Sequence, residues 1–309
     1  MTDMIGFIGV GTMGEPMCRN LARKSGATVL AADRNPEPLQ RLAADGVKAA
    51  SMDEIVASCR TIFLSLPGGK EVEQVCLGEG GILSKVQMGW TIVDTSTAPV
   101  ALARRLYAEF EGHACAFADA PIARTRQAAI DGTLSIMVGG EAEAFQRARP
   151  LFEQVGKTIL LQGPPGSGQH TKMVNQILIA GTMVGVGEAL TYARAAGLDL
   201  EHVLASVGSG AAASWTLQNL APRIIRGDLA PGFYVEHFIK DLGIALAEAE
   251  AMHLALPGLA LAKQLYHTVV AYGGARNGTQ AIVLALEAMS GGRALAGRPA
   301  FADIGTQAV

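Results

Sequence analysis

Residues 6–17 read GFIGVGTMGEPM, with glycines at Gly9, Gly11 and Gly14 directly behind an apolar strand-like run and directly ahead of a helical pattern. Each glycine has a physical job at such a strand-to-helix turn. Gly9 permits the tight turn, Gly11 lets the backbone approach a pyrophosphate, and Gly14 lets the helix lie close to the strand. The helix N-terminus, entered through Thr12 and Met13, turns unpaired amide donors toward the anion. Asp33 closes the next apolar run, TVLAAD, where a carboxylate accepts hydrogen bonds from ribose hydroxyls and repels a 2′-phosphate. NAD is therefore the expected cofactor. Arg34, next in sequence, can pair with a 2′-phosphate and keeps NADP as the alternative.

Further apolar runs follow at TIFLSL (61–66), TIVDTS (91–96), ACAFADAP, LSIMVGG and KTILLQ, with helical patterns at 12–24, 36–45, 70–76 and 99–111. Runs buried on both faces and joined by helices imply a parallel, doubly wound sheet. After Gly163-Pro164-Pro165-Gly166 the strand signals cease, and 169–196 carries one long helical pattern closed by Gly197. Helical segments are expected near 200–208, 214–226, 235–255, 257–273 and 278–290. The expected fold is α/β: an N-terminal Rossmann domain over 1–163 and an all-helical domain over 164–309, joined by the long helix. Residues 291–309, rich in Gly, Ala and Pro, are expected to form a loose tail or a dimer arm.

Composition narrows the function classes. A chain of 309 residues supports two domains. With 17% charged residues and a net charge of -3 it gives nucleic-acid binding no electrostatic support. Four scattered cysteines and six histidines lack C-x-x-C or H-E-x-x-H spacing, so no metal site or disulfide framework is expected and a reducing cytoplasm fits. No secretory signal is visible, and the chain is expected to start near Met1. The apolar stretch Ile177–Gly187 ends at Glu188, short of the roughly 20 residues that span a bilayer, and reads as a buried helix. The apolar surface of this helix and of those after 242 predicts a homodimer or homotetramer.

Open α/β sheets bind ligands beyond the C-terminal ends of their strands. Leu66 and Pro67, and the Asp94-Thr95-Ser96-Thr97 segment, occupy such ends. Thr97 is read as a cofactor contact and Ser96 as a substrate contact, with a helix cap ahead of Pro99 as the other reading. Hydride transfer to a carbonyl leaves charge on its oxygen, which calls for a proton donor or cation nearby. In GSGQHTKMVNQ, helical spacing puts Gly168, Lys172, Asn175 and Gln176 on one face, with Ile179 a turn further on. Lys172 can be the donor, and Gly168 would leave room for substrate beside it. Without more, a lysine near a helix start is also an ordinary solvated residue.

Four segments in order, GFIGVGTMGEPM, the Asp119-Ala120-Pro121 and AIDGTLSIMVGG pair, the G-x-x-x-K-x-x-N of Gly168, Lys172 and Asn175, and KDLGIAL at 240–246, resemble the β-hydroxyacid dehydrogenase family over about residues 4–290. That family includes 3-hydroxyisobutyrate dehydrogenase and tartronate semialdehyde reductase. The resemblance implies an NAD-dependent enzyme that interconverts a small acid-bearing aldehyde and its alcohol. It implies that Lys172 is the catalytic acid/base, that Asn175 orients substrate with Gln176 beside it, and that Lys240 sits toward the nicotinamide with Asp241 adjacent. By itself, Lys240-Asp241 would read as a surface pair.

One departure bears on substrate. Where such relatives usually read D-A-P-V-S-G-G, this chain reads Asp119-Ala120-Pro121-Ile122-Ala123-Arg124-Thr125-Arg126. A guanidinium and a hydroxyl replace a small anion cradle, a fork suited to a fully charged anion. The loop is similar to the Gly-Arg-Thr of sulfolactaldehyde reductases, which points to 3-sulfolactaldehyde as substrate with Arg124 and Thr125 on the sulfonate. Tartronate semialdehyde, succinic semialdehyde and 3-hydroxyisobutyrate stand as alternatives, as does a surface salt bridge for Arg124. Imine reductases share the architecture but typically lack the lysine. A non-catalytic NAD-binding scaffold or sensor is the remaining rival, distinguished by binding without turnover.

Overall fold

The computed structural model describes residues 4–291, so the expectation for 291–309 lies, apart from Gly291, outside the described residues. The chain divides into two compact units, one ending at Lys172 and the other beginning at Met173. The expected domain boundary, 163/164, falls at the end of the last strand, nine residues before this division. The start of the long helix packs with the sheet, and that explains the offset.

The first unit runs β1 (Met4–Ile8), α1 (Gly14–Lys24), β2 (Thr28–Ala32), α2 (Pro36–Ala43), β3 (Lys48–Ala49), α3 (Met52–Ser58) and β4 (Thr61–Leu64). It continues with α4 (Gly69–Leu77), β5 (Thr91–Asp94), α5 (Val100–Glu111), β6 (Ala116–Asp119), β7 (Ile122–Ala123), α6 (Arg126–Asp131), β8 (Leu134–Gly139), α7 (Ala142–Val155) and β9 (Gly156–Gly163). The sheet order is β3-β2-β1-β4-β5-β6-β8-β7, with β9 on β8. From β3 to β6 all pairs are parallel. The sheet as a whole is mixed rather than parallel, because β8 runs antiparallel to both β6 and β7. The connection from β6 to β8 holds the two-residue β7 and the short α6.

Alternate residues along the central strands feed the two faces of the sheet. Phe7 and Phe63 pack with Met17, Leu21 and Phe152 on one side, while Ile8, Ile62 and Leu64 pack with Ile55, Trp90 and Phe110 on the other. Local chemistry fixes the helix starts. Ser51 and Glu54 form a reciprocal capping box on α3, and Asn35 caps α2.

Helix α8 (Ser167–Ala195) leads into the second unit, followed by α9 (Leu200–Val207), α10 (Trp215–Asn219), α11 (Ala221–Ile225), α12 (Val235–Ala251), α13 (Pro257–Ala271) and α14 (Ile282–Met289). The single helix expected over 214–226 is two, with Pro222 at the start of the second, where its missing N–H does no harm. Met183, Val186 and Leu190 of α8 share a core with Phe238, Leu242, Tyr266 and Ile282, and the Phe238 and Tyr266 rings meet edge-on at 5.1 Å. At 29 residues, α8 as a whole is long and apolar enough to cross a membrane by length and composition alone, a test that the core helix of a folded domain also passes. Its buried row belongs to the core of the helical unit.

Candidate active site

The order of the sheet reverses direction between β1 and β4, so the loops after these strands flank the crevice where doubly wound sheets hold a ligand. Gly9 follows β1 with φ +92°, and a Cβ there would run into the carbonyl oxygen of Ser65 and the Leu66 side chain. A Cβ on Gly14 would meet the Gly9 carbonyl oxygen, whereas nothing lies within 4 Å of the position a Cβ would take on Gly11. Two glycines thus close the turn, and the third leaves open space over the start of α1, as a pyrophosphate requires. Asp33 holds the loop from the neighbouring strand: its Oδ2 accepts from Val10 N at 2.7 Å and its Oδ1 from Asn35 N at 2.8 Å. Each oxygen keeps lone pairs for a ribose hydroxyl. Arg34 is exposed. These residues fit a dinucleotide.

Ser96 is buried behind β5, and its Oγ accepts from Leu66 N at 2.8 Å, which ties the two loops together. The hydroxyl proton is still there to donate, and Thr97 follows on the same turn. Sequence reasoning gave Gln169 and Asp119 no role, yet they fix this region. Gln169 Nε2 donates to Ser96 O at 2.8 Å and its Oε1 accepts from Ala98 N at 3.2 Å. Asp119, fully buried at the end of β6, accepts from Gly166 N at 2.7 Å and Gln169 N at 2.8 Å. A carboxylate thus satisfies the orphan amides at the head of α8. Only its position at a strand end next to a proline hinted at this.

Gly168 corrects an expectation. A Cβ there would meet the carbonyl oxygens of Met137 and Asp119, so its bareness lets α8 lie against β6 and β8 instead of making room for substrate. The consequence reaches Lys172, one turn on and 8% exposed, whose Nζ donates to Ile122 O at 2.9 Å. Ile122 belongs to β7, two residues before Arg124, so the ammonium and the Arg-Thr loop are joined through one short strand. Arg124 is exposed and holds φ +91°, a left-handed backbone that favours glycine. Its Nη1 donates to Thr133 O at 2.9 Å, a neutral acceptor that steadies the guanidinium without cancelling its charge. Thr125 caps α6, accepting from Ala128 N at 3.3 Å.

In the helical unit Asn175 Nδ2 donates to Gln176 Oε1 at 2.7 Å, and Gln176 Nε2 donates to Asp241 Oδ2 at 2.6 Å. Gln176, 1% exposed, is therefore placed between two side chains rather than toward a substrate as expected. Lys240 Nζ lies 3.3 Å from Asp241 Oδ1. Asp241 is buried, so this is not the surface pair that sequence alone suggested. Ile179 packs against the helical core. His170 Nε2 is 3.4 Å from Arg104 Nη2, and His237 packs against the Tyr234 ring. Among the described residues no three His, Cys, Asp or Glu side chains are grouped to hold a metal ion.

Burial pushes the Asp119 carboxyl up to about 6, while the amides of Gly166, Gln169 and Gly168 pull it the other way. A folded-state value above the unfolded one means that this group stabilises the fold fully below about pH 4 and loses that contribution as pH rises through 6. In urea titrations the stability of wild type relative to Asp119→Asn is expected to fall by roughly 2 kcal/mol between pH 4.5 and 7.5. A difference that does not vary with pH would contradict the assignment.

Comparison with known proteins agrees with this geometry. Residues 4–163 match the family model described as the NAD binding domain of 6-phosphogluconate dehydrogenase. Residues 166–286 match that of the NAD-binding of NADP-dependent 3-hydroxyisobutyrate dehydrogenase. The chain is 43% identical to the uncharacterized oxidoreductase YkwC of Bacillus subtilis (strain 168), over 91% of this chain and 98% of that one. The chain belongs to the β-hydroxyacid dehydrogenase family. It is also 37% identical to 2-hydroxy-3-oxopropionate reductase of Escherichia coli (strain K12), over 93% and 98% of the two chains. Among solved structures, Mycobacterium tuberculosis 3-hydroxyisobutyrate dehydrogenase with L-serine superposes with a TM-score of 0.85 at 28% identity, covering 93% of this chain and 99% of that one. As a member of the family, this protein is an NAD(P)-dependent oxidoreductase acting on a hydroxyl donor.

Proposed function

We propose that this β-hydroxyacid dehydrogenase reduces a small aldehyde with a strongly anionic far end, 3-sulfolactaldehyde, to 2,3-dihydroxypropane-1-sulfonate, using NADH. The observation that carries the reading is the β7 strand, which holds Lys172 by the Ile122 carbonyl and presents Arg124 two residues later. Bound NADH supplies the hydride. Lys172 Nζ donates a proton to the aldehyde oxygen as the alcohol forms, is left neutral, and regains a proton from solvent; in the reverse direction it accepts that proton. Arg124 and the Thr125 hydroxyl bind the sulfonate, and Asn175 orients the substrate. Asp33 would accept from the ribose hydroxyls of the bound cofactor and so favours NAD over NADP.

A second reading, 2-hydroxy-3-oxopropionate (tartronate semialdehyde) as substrate, is favoured by the identity to the Escherichia coli reductase. Purified protein with NADH, offered 3-sulfolactaldehyde, 2-hydroxy-3-oxopropionate and succinic semialdehyde, separates them: selective turnover of the first supports the sulfonate reading. Equal or better turnover of a carboxylate aldehyde removes it and leaves the chemistry of Lys172 in place.

The enzyme is further inferred to be a homodimer. Val174, Leu178 (65% exposed) and Tyr192 (75% exposed) lie along α8 with Gly181 and Gly185, which have open space where a Cβ would stand. A second copy of this helix fits an apolar row with two bare positions. Leu178→Arg is expected to shift sedimentation toward monomer at micromolar concentration; a wild type that is already monomeric would refute the dimer. Four buried cysteines accord with a reducing compartment such as the cytoplasm.

A further inference from the structure

We infer that Asp241 is a positioning residue that acts through Gln176 to turn the carboxamide oxygen of Asn175 toward a hydroxyl of the substrate. The inference rests on Asn175 as a substrate contact, and it deepens that reading by naming the group recognised: a hydrogen-bond donor, which an acceptor oxygen can hold.

The two ends of a carboxamide have nearly the same shape and opposite polarity, so packing alone does not decide which way an Asn faces. A buried charge does. Asp241, on α12, is 1% exposed, and an ionised carboxylate only accepts hydrogen bonds. Gln176, on α8, must therefore offer its NH2, and the Nε2 to Oδ2 distance is 2.6 Å. That choice turns Gln176 Oε1 to the other side, where only a donor is welcome. Asn175 meets it with Nδ2 at 2.7 Å. With its nitrogen committed to the relay, Asn175 has its Oδ1 directed away from Gln176. Three polarities follow from one charge.

The way Asp241 is held agrees with this role. Its Oδ1 is buried without a hydrogen-bond partner, and the Lys240 ammonium faces it at 3.3 Å as an ion pair without hydrogen-bond alignment. A group needed only for packing would do better as an amide or an apolar side chain, since burying a carboxylate with one oxygen unbonded is unfavourable. A charge that must remain an acceptor has no such substitute. The lysine beside it supplies the opposite charge.

The test is a double-mutant cycle on the full-length enzyme, with lactate and propionate as dead-end anions in the presence of NAD. Wild type is expected to bind lactate about tenfold tighter than propionate, the effect of one hydrogen bond. In Asp241→Asn the relay can face either way, and the preference is expected to shrink below about threefold. Asn175→Asp places acids at both ends of Gln176, each demanding its NH2, and its melting temperature is expected to drop. Adding Asp241→Asn lets Gln176 reverse, so the double variant is expected to regain both the melting temperature and the preference for lactate. A structural role for Asp241 would give losses that add. Additive melting temperatures therefore overturn the relay, even if one single variant fails to fold at room temperature. Coupled melting temperatures with no lactate preference in wild type overturn instead the reading of Asn175 as a substrate contact.

Discussion

Replacing Lys172 by alanine is expected to lower kcat by about 10²- to 10⁴-fold, the usual range for losing a positioned proton donor. The proton on the new alcohol must otherwise come from water, and the charge on the carbonyl oxygen loses its nearest cation. NADH affinity should stay within about threefold, because the glycine turn and Asp33 proposed to carry the dinucleotide follow β1 and β2 and are not part of the helix that bears the lysine. The helix itself should stay in place. Its head is fixed by Asp119 and Gln169, and a Cβ on Gly168 would be needed to push it off the strands. Single-turnover oxidation of NADH, with cofactor affinity measured separately by fluorescence, checks both halves. A fall in kcat below about fivefold would remove Lys172 from the chemistry, since even a weak general acid contributes more.

What could be read beforehand and what could not divide along physical lines. The glycine turn and Asp33 fall within one strand-helix-strand stretch of the chain, and each demands a particular residue type, so the sequence carries them openly. Long amphipathic patterns such as 235–255 and 257–273 came through as α12 and α13 within a few residues. Two-residue strands carry no period, and β3 and β7 exist only because a neighbour pairs with them. Helix α7 was missed although it spans 14 residues; Pro150 in its interior reads as a breaker, and its inward row, Phe145, Ala148, Phe152 and Val155, is answered by residues remote in sequence. The same remoteness hid the site's supports. Asp119 meets Gly166 and Gln169 some fifty positions away, and Asp241 meets Gln176 across sixty-five. Gly168 shows the converse failure: the residue was singled out correctly as special, but open space and close packing look identical in a sequence.

Arg124→Gly is expected to stabilise the protein while disabling it toward the sulfonate. An arginine at φ +91° carries a Cβ in a backbone region where only glycine is at ease, a strain of about 1–3 kcal/mol. Glycine removes that strain but widens the unfolded ensemble, so the net gain should be nearer 1 kcal/mol, read as a higher melting temperature. The lost guanidinium takes with it charge-assisted hydrogen bonds of about 1.5–3 kcal/mol, equal to a drop of roughly 10- to 100-fold in kcat/KM for 3-sulfolactaldehyde. Arg124→Lys separates charge from shape. It keeps a cation and the strain but loses the planar fork, so it should recover part of the activity and none of the stability. The opposite signs are the decisive part. A surface arginine held only by the Thr133 carbonyl would cost nothing in turnover when removed, and an arginine needed for folding would cost stability; a functional residue kept in a strained backbone gives up activity and gains stability together. If Arg124→Gly melts lower and turns over 3-sulfolactaldehyde unchanged, the anion site lies elsewhere and the Ala-Arg-Thr loop does not choose the substrate.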